Sequence, residues 1–352
     1  MTSRRWTRRS AIALVAAIPL LLAGCGMFKA DETGGQIDPP QVEYETEAEL
    51  DAELLDQEVT ALPEKEAPVT LYFKDADGYV APLGIRIPAE PGIAKLALAY
   101  MVEGGPAESV LPDGFTALLP KGTKVLGMDI RQDGLAIVDF SEQFTDYNSE
   151  DERKIMEAVT WTLTGFNSVS SVQLWVEGKP LKEMPKDATP LDDPLTRDMG
   201  INLELEEGVN PALASAVTVY FKSQTSDTSY YVPVTRLIRH ADNMTLAAMQ
   251  ELVEGPAANS GLHGVLPEST EVLGVELKDD TVVVNFGGSI HDDASYPVDN
   301  DALQAVILSL TEQTHKTKVQ IMVDGKAGVM VGETKQFASP VTRPLQVNPV
   351  TL

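Results

Sequence analysis

The chain has 352 residues, and its 53 Asp and Glu side chains outnumber its 27 Lys and Arg side chains, giving a formal net charge of −26. Such an acidic chain repels phosphate backbones, which excludes nucleic-acid-binding proteins as a class. The single cysteine excludes an intramolecular disulfide and a thiolate metal cluster.

Residues 1–24 have the pattern of a secretory signal peptide. Two arginine pairs, at 4–5 and 8–9, precede an apolar run at 11–23. At about 1.5 Å per residue, this run is too short to cross a hydrocarbon core of about 30 Å. The pattern after the second arginine pair fits twin-arginine export poorly, so general secretion is preferred.

The sequence Leu22-Ala23-Gly24-Cys25 ends the apolar run and resembles a bacterial lipobox. In a lipobox, the thiol receives a diacylglyceryl group with fatty acyl chains such as palmitate, and the cysteine becomes the new N-terminus. We therefore predict lipidation at Cys25, with anchoring to the membrane through the lipid. Two acyl chains are sufficient for stable anchoring, whereas one is marginal.

The remaining chain divides into acidic linkers and two domains. Residues 25–66 are rich in Asp, Glu, Gly and Pro, and are predicted to be a lipidated N-terminus followed by an acidic tether. The predicted first domain covers 67–203 and the second covers 216–350. A short linker at 204–215 separates them.

The first domain begins with two strand patterns. Alternation of apolar and polar residues at 69–74 predicts a half-buried strand. Asp75-Ala76-Asp77-Gly78 predicts a plain turn, because the later ligands of a calcium loop are missing. A second strand is predicted around 79–87, where Pro82 indicates an edge or a bulge.

Two helices and a hairpin are predicted next. Leu98, Met101 and Val102 share one helical face, before a stop at 104–106. Strands at 125–130 and 135–140 form a predicted hairpin through a turn at 133–134. The spacing of Ser149 and Glu152 predicts a capping box at the start of the second helix. A last strand is predicted at 172–176.

The second domain repeats the first from beginning to end. Residues 69–74 return as 217–222, 102–107 as 253–257 with one glycine fewer, 125–127 as 272–274, 172–179 as 319–326, and 194–197 as 340–343. Each copy therefore has the predicted order β-β-α-β-β-α-β. The predicted fold class is α/β (α+β): two tandem copies of a small domain with a mixed sheet and helices packed on it.

The repeat also tests candidates for chemistry, since a residue needed for a shared mechanism should occur in both copies. Asp139 could act as a general acid or base, but its counterpart is Asn285, which cannot ionise. A capped strand end is therefore preferred. His291-Asp292-Asp293 has metal-ligand residue types, but copy one lacks them. No signature of an acyl-transfer, metallohydrolase or nucleotide-dependent enzyme is present. We predict no catalytic residues, no metal site and no cofactor.

Two pairs of charged candidates do recur. Glu103 and Glu254 precede the Gly-Pro break in each copy, either bonding local backbone or contacting a partner protein. Arg197 and Arg343 lie in the shared Pro-x-Thr-Arg, either pinning the trailing segment to its own domain or binding an anion. These four residues are the candidate partner-binding residues.

The chain resembles the GerM family of sporulation and spore germination lipoproteins. The resemblance rests on the lipobox at Cys25, the segment Ile-Asp-Pro-Pro at 37–40, and the duplicated motifs Val-Glu-Gly-(Gly)-Pro-Ala and Pro-x-Thr-Arg. The resemblance covers essentially the whole chain. It implies two GerMN domains, similar to the ring-building modules of secretion machines. It also implies a location on the extracytoplasmic face of the cell membrane and, during sporulation, in the membranes around the forespore.

Two functions follow as hypotheses. The first is a non-enzymatic, membrane-anchored protein that supports assembly or localisation of the channel complex between mother cell and forespore, with proteins of that complex as partners. A homo-oligomer is left open. The second is a module that binds cell-wall glycan or a small germination-related ligand in an inter-domain cleft.

Replacing Cys25 with Ala should release the protein from membranes, because no other segment is predicted to anchor it. Fractionation of cells expressing the wild type and the variant measures this. A Cys25→Ala variant that stays in the membrane fraction would show that the lipobox interpretation is wrong.

Overall fold

The computed structural model describes residues 66–290, 300–327, 329–331 and 335–350. Copy one denotes residues 67–203 and copy two residues 216–350. The elements of copy one, together with the residue that precedes it, are β1 Glu66–Lys74, β2 Val80–Pro88, α1 Ile93–Tyr100, β3 Val125–Ile130, β4 Leu135–Phe140, α2 Glu152–Leu163, β5 Ser171–Val176 and β6 Lys179–Pro180. A short strand, β7 Glu204–Leu205, follows in the predicted linker.

Copy two repeats this order and adds short strands near its end. The first strand begins one residue before the copy. The elements are β8 Ser215–Gln224, β9 Ser229–Ile238, α3 Met244–Glu254, β10 Val272–Lys278, β11 Thr281–Phe286, α4 Asn300–Thr314, β12 Lys318–Val323, β13 Lys326–Ala327, β14 Val329–Val331, β15 Lys335–Phe337 and β16 Val341–Thr342. The predicted order β-β-α-β-β-α-β is confirmed in both copies.

Each copy opens with an antiparallel hairpin, β1 with β2 and β8 with β9. The predicted turn at 75–78 closes the first hairpin, and Asp75 Oδ1 accepts the backbone N–H groups of Asp77 at 3.0 Å and Tyr79 at 2.8 Å. Asp75 therefore organises the turn through an Asx-type contact.

A separate mixed sheet follows in each copy. In copy one the order is β3-β4-β5-β6, with β3 antiparallel and β5 parallel to β4. The parallel pair requires a long crossover, and α2 supplies it. Copy two has the order β10-β11-β12-β13 with α4 as the crossover. The predicted mixed sheet with packed helices is confirmed.

The second helix of each copy packs on the hairpin and is almost wholly buried. Met156, Val159 and Leu163 of α2 lie in the core beside Trp161, whose ring stands edge-on to Tyr72 of β1 with centroids 6.0 Å apart. Burying an aromatic side chain contributes on the order of 2 kcal/mol or more. The hairpin and the sheet therefore share one hydrophobic core.

Two local predictions are wrong. Helix α1 ends at Tyr100, because Val102 pairs with Leu119 as a β-bridge and the N–H of Glu103 donates to the Leu119 carbonyl at 2.9 Å. The capping box also fails. Asp151, not Ser149, precedes α2, and no side chain caps the helix. The Glu152 carboxylate turns away to accept hydrogen bonds from residues 186–189.

The two copies exchange their trailing segments within one compact unit. Strand β7, which follows copy one, runs parallel to β9 of copy two. Pro349, at the end of copy two, forms a parallel bridge with Gly84 in β2 of copy one. Each trailing segment therefore extends the first hairpin of the other copy. Pro82 and its counterpart Pro233 lie in the strands that receive these segments.

Gly84 is required by the close approach of copy two. A Cβ atom at this position would lie 2.7 Å from Gln346 Cβ, which is shorter than any normal contact. In contrast, a Cβ atom at Gly274 in β10 would meet nothing within 4 Å.

Gly84→Ala should lower the free energy of unfolding by about 1–3 kcal/mol, because overpacking forces the trailing segment away from β2. Gly274→Ala is the matched control and should change it by less than about 0.5 kcal/mol. Urea unfolding of both variants measures the difference. Equal stability of the two variants would contradict the close approach.

Candidate functional site

The structure brings the two recurring arginines together. Arg197 of copy one and Arg343 of copy two both bind the carboxylate of Glu312 in α4, with N–O distances of 2.5 and 2.9 Å. Glu312 is 7% exposed. The site is therefore a buried Arg-Glu-Arg cluster at the boundary between the copies.

Each arginine also binds the second helix of its own copy. Arg197 donates to the Trp161 carbonyl at 3.2 Å and to Thr164 Oγ1 at 2.8 Å. Its guanidinium lies 4.5 Å from the centroid of the Trp161 ring. These acceptors lie in the last turn and at the C-cap of α2, where the helix dipole favours a cation. The planar guanidinium suits this combination of stacking and directed bonds better than an ammonium group.

Arg343 repeats the arrangement in copy two. It donates to the Leu308 carbonyl at 2.9 Å and to Thr311 Oγ1 at 2.6 Å, the counterparts of Trp161 and Thr164. Its second terminal nitrogen also donates to the Tyr220 hydroxyl at 3.1 Å. The arginines thus bind both their own domain and an anion, and that anion belongs to the chain itself.

The electrostatics of the cluster favour an ionised carboxylate. Burial alone would raise the pKa of Glu312, but the charges of Arg197 and Arg343 and hydrogen bonds from Arg197 and Tyr220 lower it from 4.5 to about 2. A buried carboxylate without these partners would be costly. The two copies are therefore joined by a charge that neither could bury alone.

Two asparagines join the copies reciprocally. Asn202 Nδ2 donates to the carbonyl of Val80 in copy one and to that of Pro233 in copy two, at 2.8 and 2.7 Å. Its counterpart Asn348 donates to Tyr231 in its own copy and to Pro82 in the other, both at 2.8 Å. Such reciprocal contacts are typical of an isologous, two-fold interface.

Two tyrosines make further reciprocal contacts. The Tyr79 hydroxyl of copy one donates to the Ser260 carbonyl of copy two at 2.8 Å. Its counterpart Tyr230 donates to Asp75 Oδ2 of copy one at 2.9 Å. Burial raises the pKa of Asp75, despite the hydrogen bonds that it accepts.

The shared motif at 69–74 and 217–222 ends in a lysine for a structural reason. Lys74 pairs with Asp151 just before α2 at 3.0 Å, and Lys222 pairs with Asp301 in the first turn of α4. Each lysine ties the first strand of its copy to the start of the second helix, where a carboxylate is favoured.

Sequence reasoning missed Arg236 in β9. It is 7% exposed and binds Glu204, Glu251 and the Gly255 carbonyl, at 2.9, 3.2 and 2.7 Å. Its one signal in the sequence is a charged residue within an apolar strand pattern. Arg236 fixes both the linker and the end of α3 to copy two.

The candidate acid of the sequence has a structural partner. Asp139 Oδ1 accepts the N–H of Gly178 at 2.9 Å, and Asn285 Oδ1 accepts that of Gly325 at the same distance. An amide serves as well as a carboxylate, so the capped strand end is confirmed.

Glu103 and Glu254 lie apart from the cluster and are exposed. Glu254 is the last residue of α3, whereas Glu103 lies beyond α1 and lines a cleft with three lysines. Partner binding by the four recurring residues stays a prediction.

Some predictions lie outside the described residues, namely Cys25, the tether at 25–65 and His291-Asp292-Asp293. Within the described ranges, no group of three or more His, Cys, Asp or Glu side chains is placed to hold a metal ion. In that same part of the chain, no helix has the length and apolar character needed to cross a membrane.

Comparison with known proteins identifies relatives of this architecture. The family model described as "Germane: Sporulation and spore germination" matches residues 70–182 and 218–329. The chain is 39% identical over 348 residues to the spore germination protein GerM of Bacillus subtilis (strain 168), covering 94% of each chain. The solved tandem GerMN domains of the Bacillus subtilis sporulation protein GerM are 40% identical, with a TM-score of 0.76 over 80% of this chain and 99% of that chain.

Glu312→Gln should lower the free energy of unfolding at neutral pH by about 3 kcal/mol, because removing one partner of a buried ion pair leaves the other charges without compensation. The two arginines hold the pKa of this carboxylate below its ordinary value in the folded state. A depressed pKa stabilises the folded state above the ordinary value and loses this effect as pH falls. The difference from the wild type should therefore be full above pH 4.5 and shrink toward pH 2. Denaturant unfolding across this range measures it. A difference independent of pH would contradict the assignment.

Proposed function

The chain belongs to the Germane family of sporulation and spore germination proteins, and we propose that it acts there as a non-enzymatic, lipid-anchored assembly protein. This family is not a known enzyme family. Lipidation at Cys25 holds the two domains on the extracytoplasmic face of the membrane, and in the membranes around the forespore during sporulation. There the protein supports assembly or localisation of the channel complex that joins mother cell and forespore.

The docking role is supported by an exposed leucine at a β-bulge in the edge strand of each copy. The edge strand of each mixed sheet has a β-bulge, where the pairing of β3 with β4 shifts between Val125 and Gly127. The pairing of β10 with β11 shifts at the equivalent place. The extra residue is a leucine in both copies, Leu126 and Leu273, and these are 46% and 47% exposed.

A bulge on an edge strand redirects a side chain and limits uncontrolled pairing with other strands. Neither leucine is buried in its own copy, so packing of the core does not explain why both copies keep it. A repeated apolar side chain beside unpaired backbone groups suits a protein partner that adds to the sheet edge. We therefore assign the docking surfaces to β3 and β10.

The other recurring polar residues support this choice indirectly. Arg197, Arg343, Asn202 and Asn348 contact the boundary between the copies, and their hydrogen-bonding groups are used inside the molecule. Exposed recurring groups, such as Glu103 and Glu254, are the ones left to contact a partner.

Replacing both Leu126 and Leu273 with Ser should reduce the yield of heat-resistant spores at least about tenfold, because loss of apolar anchors weakens docking by that order or more. The assay is complementation of a sporulating host that lacks its own copy of the gene. Leu213→Ser with Leu345→Ser is the matched control, since those leucines are 73% and 75% exposed and lie outside the edge strands.

Both double variants should keep the urea midpoint of the wild type, because exposed substitutions change stability little. Wild-type spore yield with the edge variant would count against the docking surfaces. Retention of the protein on purified peptidoglycan, above a charge-matched control protein, would instead support the glycan-binding alternative.

A further inference from the structure

A cleft of about 520 Å³ opens beside α1 in copy one. One wall comes from α1 and the turn at 102–105, and the other from the loop and first residue of β3 at 121–125. Clefts of this size hold small molecules, which usually bury an apolar body and meet a few placed polar groups. The cleft lies within copy one, away from the boundary between the copies.

Three lysines surround this cleft: Lys95 on α1, and Lys121 and Lys124 on the loop. All three are exposed, and none forms an ion pair with a carboxylate among the described residues. In a chain with 53 acidic side chains, three neighbouring lysines without carboxylate partners give a local positive field that favours an anion. Glu103 is the one acidic residue in the lining.

Copy two shows that the fold does not need these lysines. The repeat aligns Lys95 with Leu246, Lys121 with Glu268 and Lys124 with Glu271. The same backbone therefore accepts an apolar residue and two acids where copy one has three cations. A structural role shared by both copies does not explain the lysines.

One wall of the cleft contains a buried polar side chain. Thr123 is 6% exposed, and its hydroxyl has no hydrogen-bond partner within the described structure. Buried hydroxyls are normally satisfied, so this one points to a polar group that completes the site. Its counterpart Thr270 is also unpaired, so the selectivity for charge comes from the lysines.

We propose that this cleft binds a small organic anion, whose apolar body lies against the wall of α1 and Val125 and whose carboxylate or phosphate group meets Lys95, Lys121 and Lys124. The docking role is tested by spore yield and this site by probe binding. Failure of one test therefore does not decide the other. Copy two, with Leu246, Glu268 and Glu271 at these positions, does not bind such a ligand.

The probe for a test is 8-anilinonaphthalene-1-sulfonate, an apolar anion, with N-phenyl-1-naphthylamine as its uncharged analogue. Residues 26–352 contain both domains and are used without the lipid anchor. Changing Lys95, Lys121 and Lys124 to Gln should weaken binding of the anion at least tenfold and leave the uncharged analogue unaffected. Changing the exposed lysines Lys179, Lys182 and Lys326 to Gln removes the same charge elsewhere and should alter binding less than twofold.

Two readouts locate the bound probe. Amide resonances of Gly104, Gly105 and Gly122 should shift on titration with the anion, and Glu103→Gln should tighten binding several-fold by removing the acid from the lining. Inorganic phosphate and acetate, added as competitors, distinguish the preferred head group. Equal loss of binding in the two lysine variants, shifts confined to other residues, or failure of both competitors to displace the probe would overturn the proposal.

Discussion

The carboxylate of Glu312 is the interaction on which the arrangement of the two copies depends. It is buried between two guanidinium groups, one from each copy, and these in turn bind the carbonyls of Trp161 in α2 and Leu308 in α4. A buried ion is tolerated only when partners replace the water it has lost. The separation and rotation of the copies are therefore constrained to the geometry in which both arginines reach one acid.

The exchanged trailing segments join the two copies through backbone hydrogen bonds. The residues after each Pro-x-Thr-Arg motif lie beside the second strand of the opposite copy, where they satisfy edge groups that an isolated hairpin exposes. The arginine fixes where the segment starts, and the asparagine five residues later bonds both copies. Repeated motifs near the end of each copy thus encode an interface.

Comparison of the repeats predicted the elements, their order and the mixed sheet, because apolar periodicity and turn residues are local signals. It did not predict the end of α1, since Val102 pairs with Leu119, a contact between distant residues that helical spacing does not reveal. Comparison of the repeats also failed to predict the role of Glu312. Its counterpart is Gly165, so a test that keeps only recurring residues discards it. One acid at a two-fold boundary serves both arginines and has no reason to occur twice.

Residues at the boundary between the copies and residues elsewhere on the surface differ in how far they have diverged. At the boundary, Asn202 and Asn348 each bond to both copies. A change in either residue therefore disturbs both copies, and the two positions have the same residue type. Away from the boundary, the copies are independent, and the cleft of copy one holds three lysines where copy two has Leu246, Glu268 and Glu271. The bulged leucines, in contrast, have not diverged between the copies. Leu126 and Leu273 are 46% and 47% exposed, and they match in place and residue type. Because the core does not require that match, it supports the proposal that both edge strands make the same contact with a partner outside the chain.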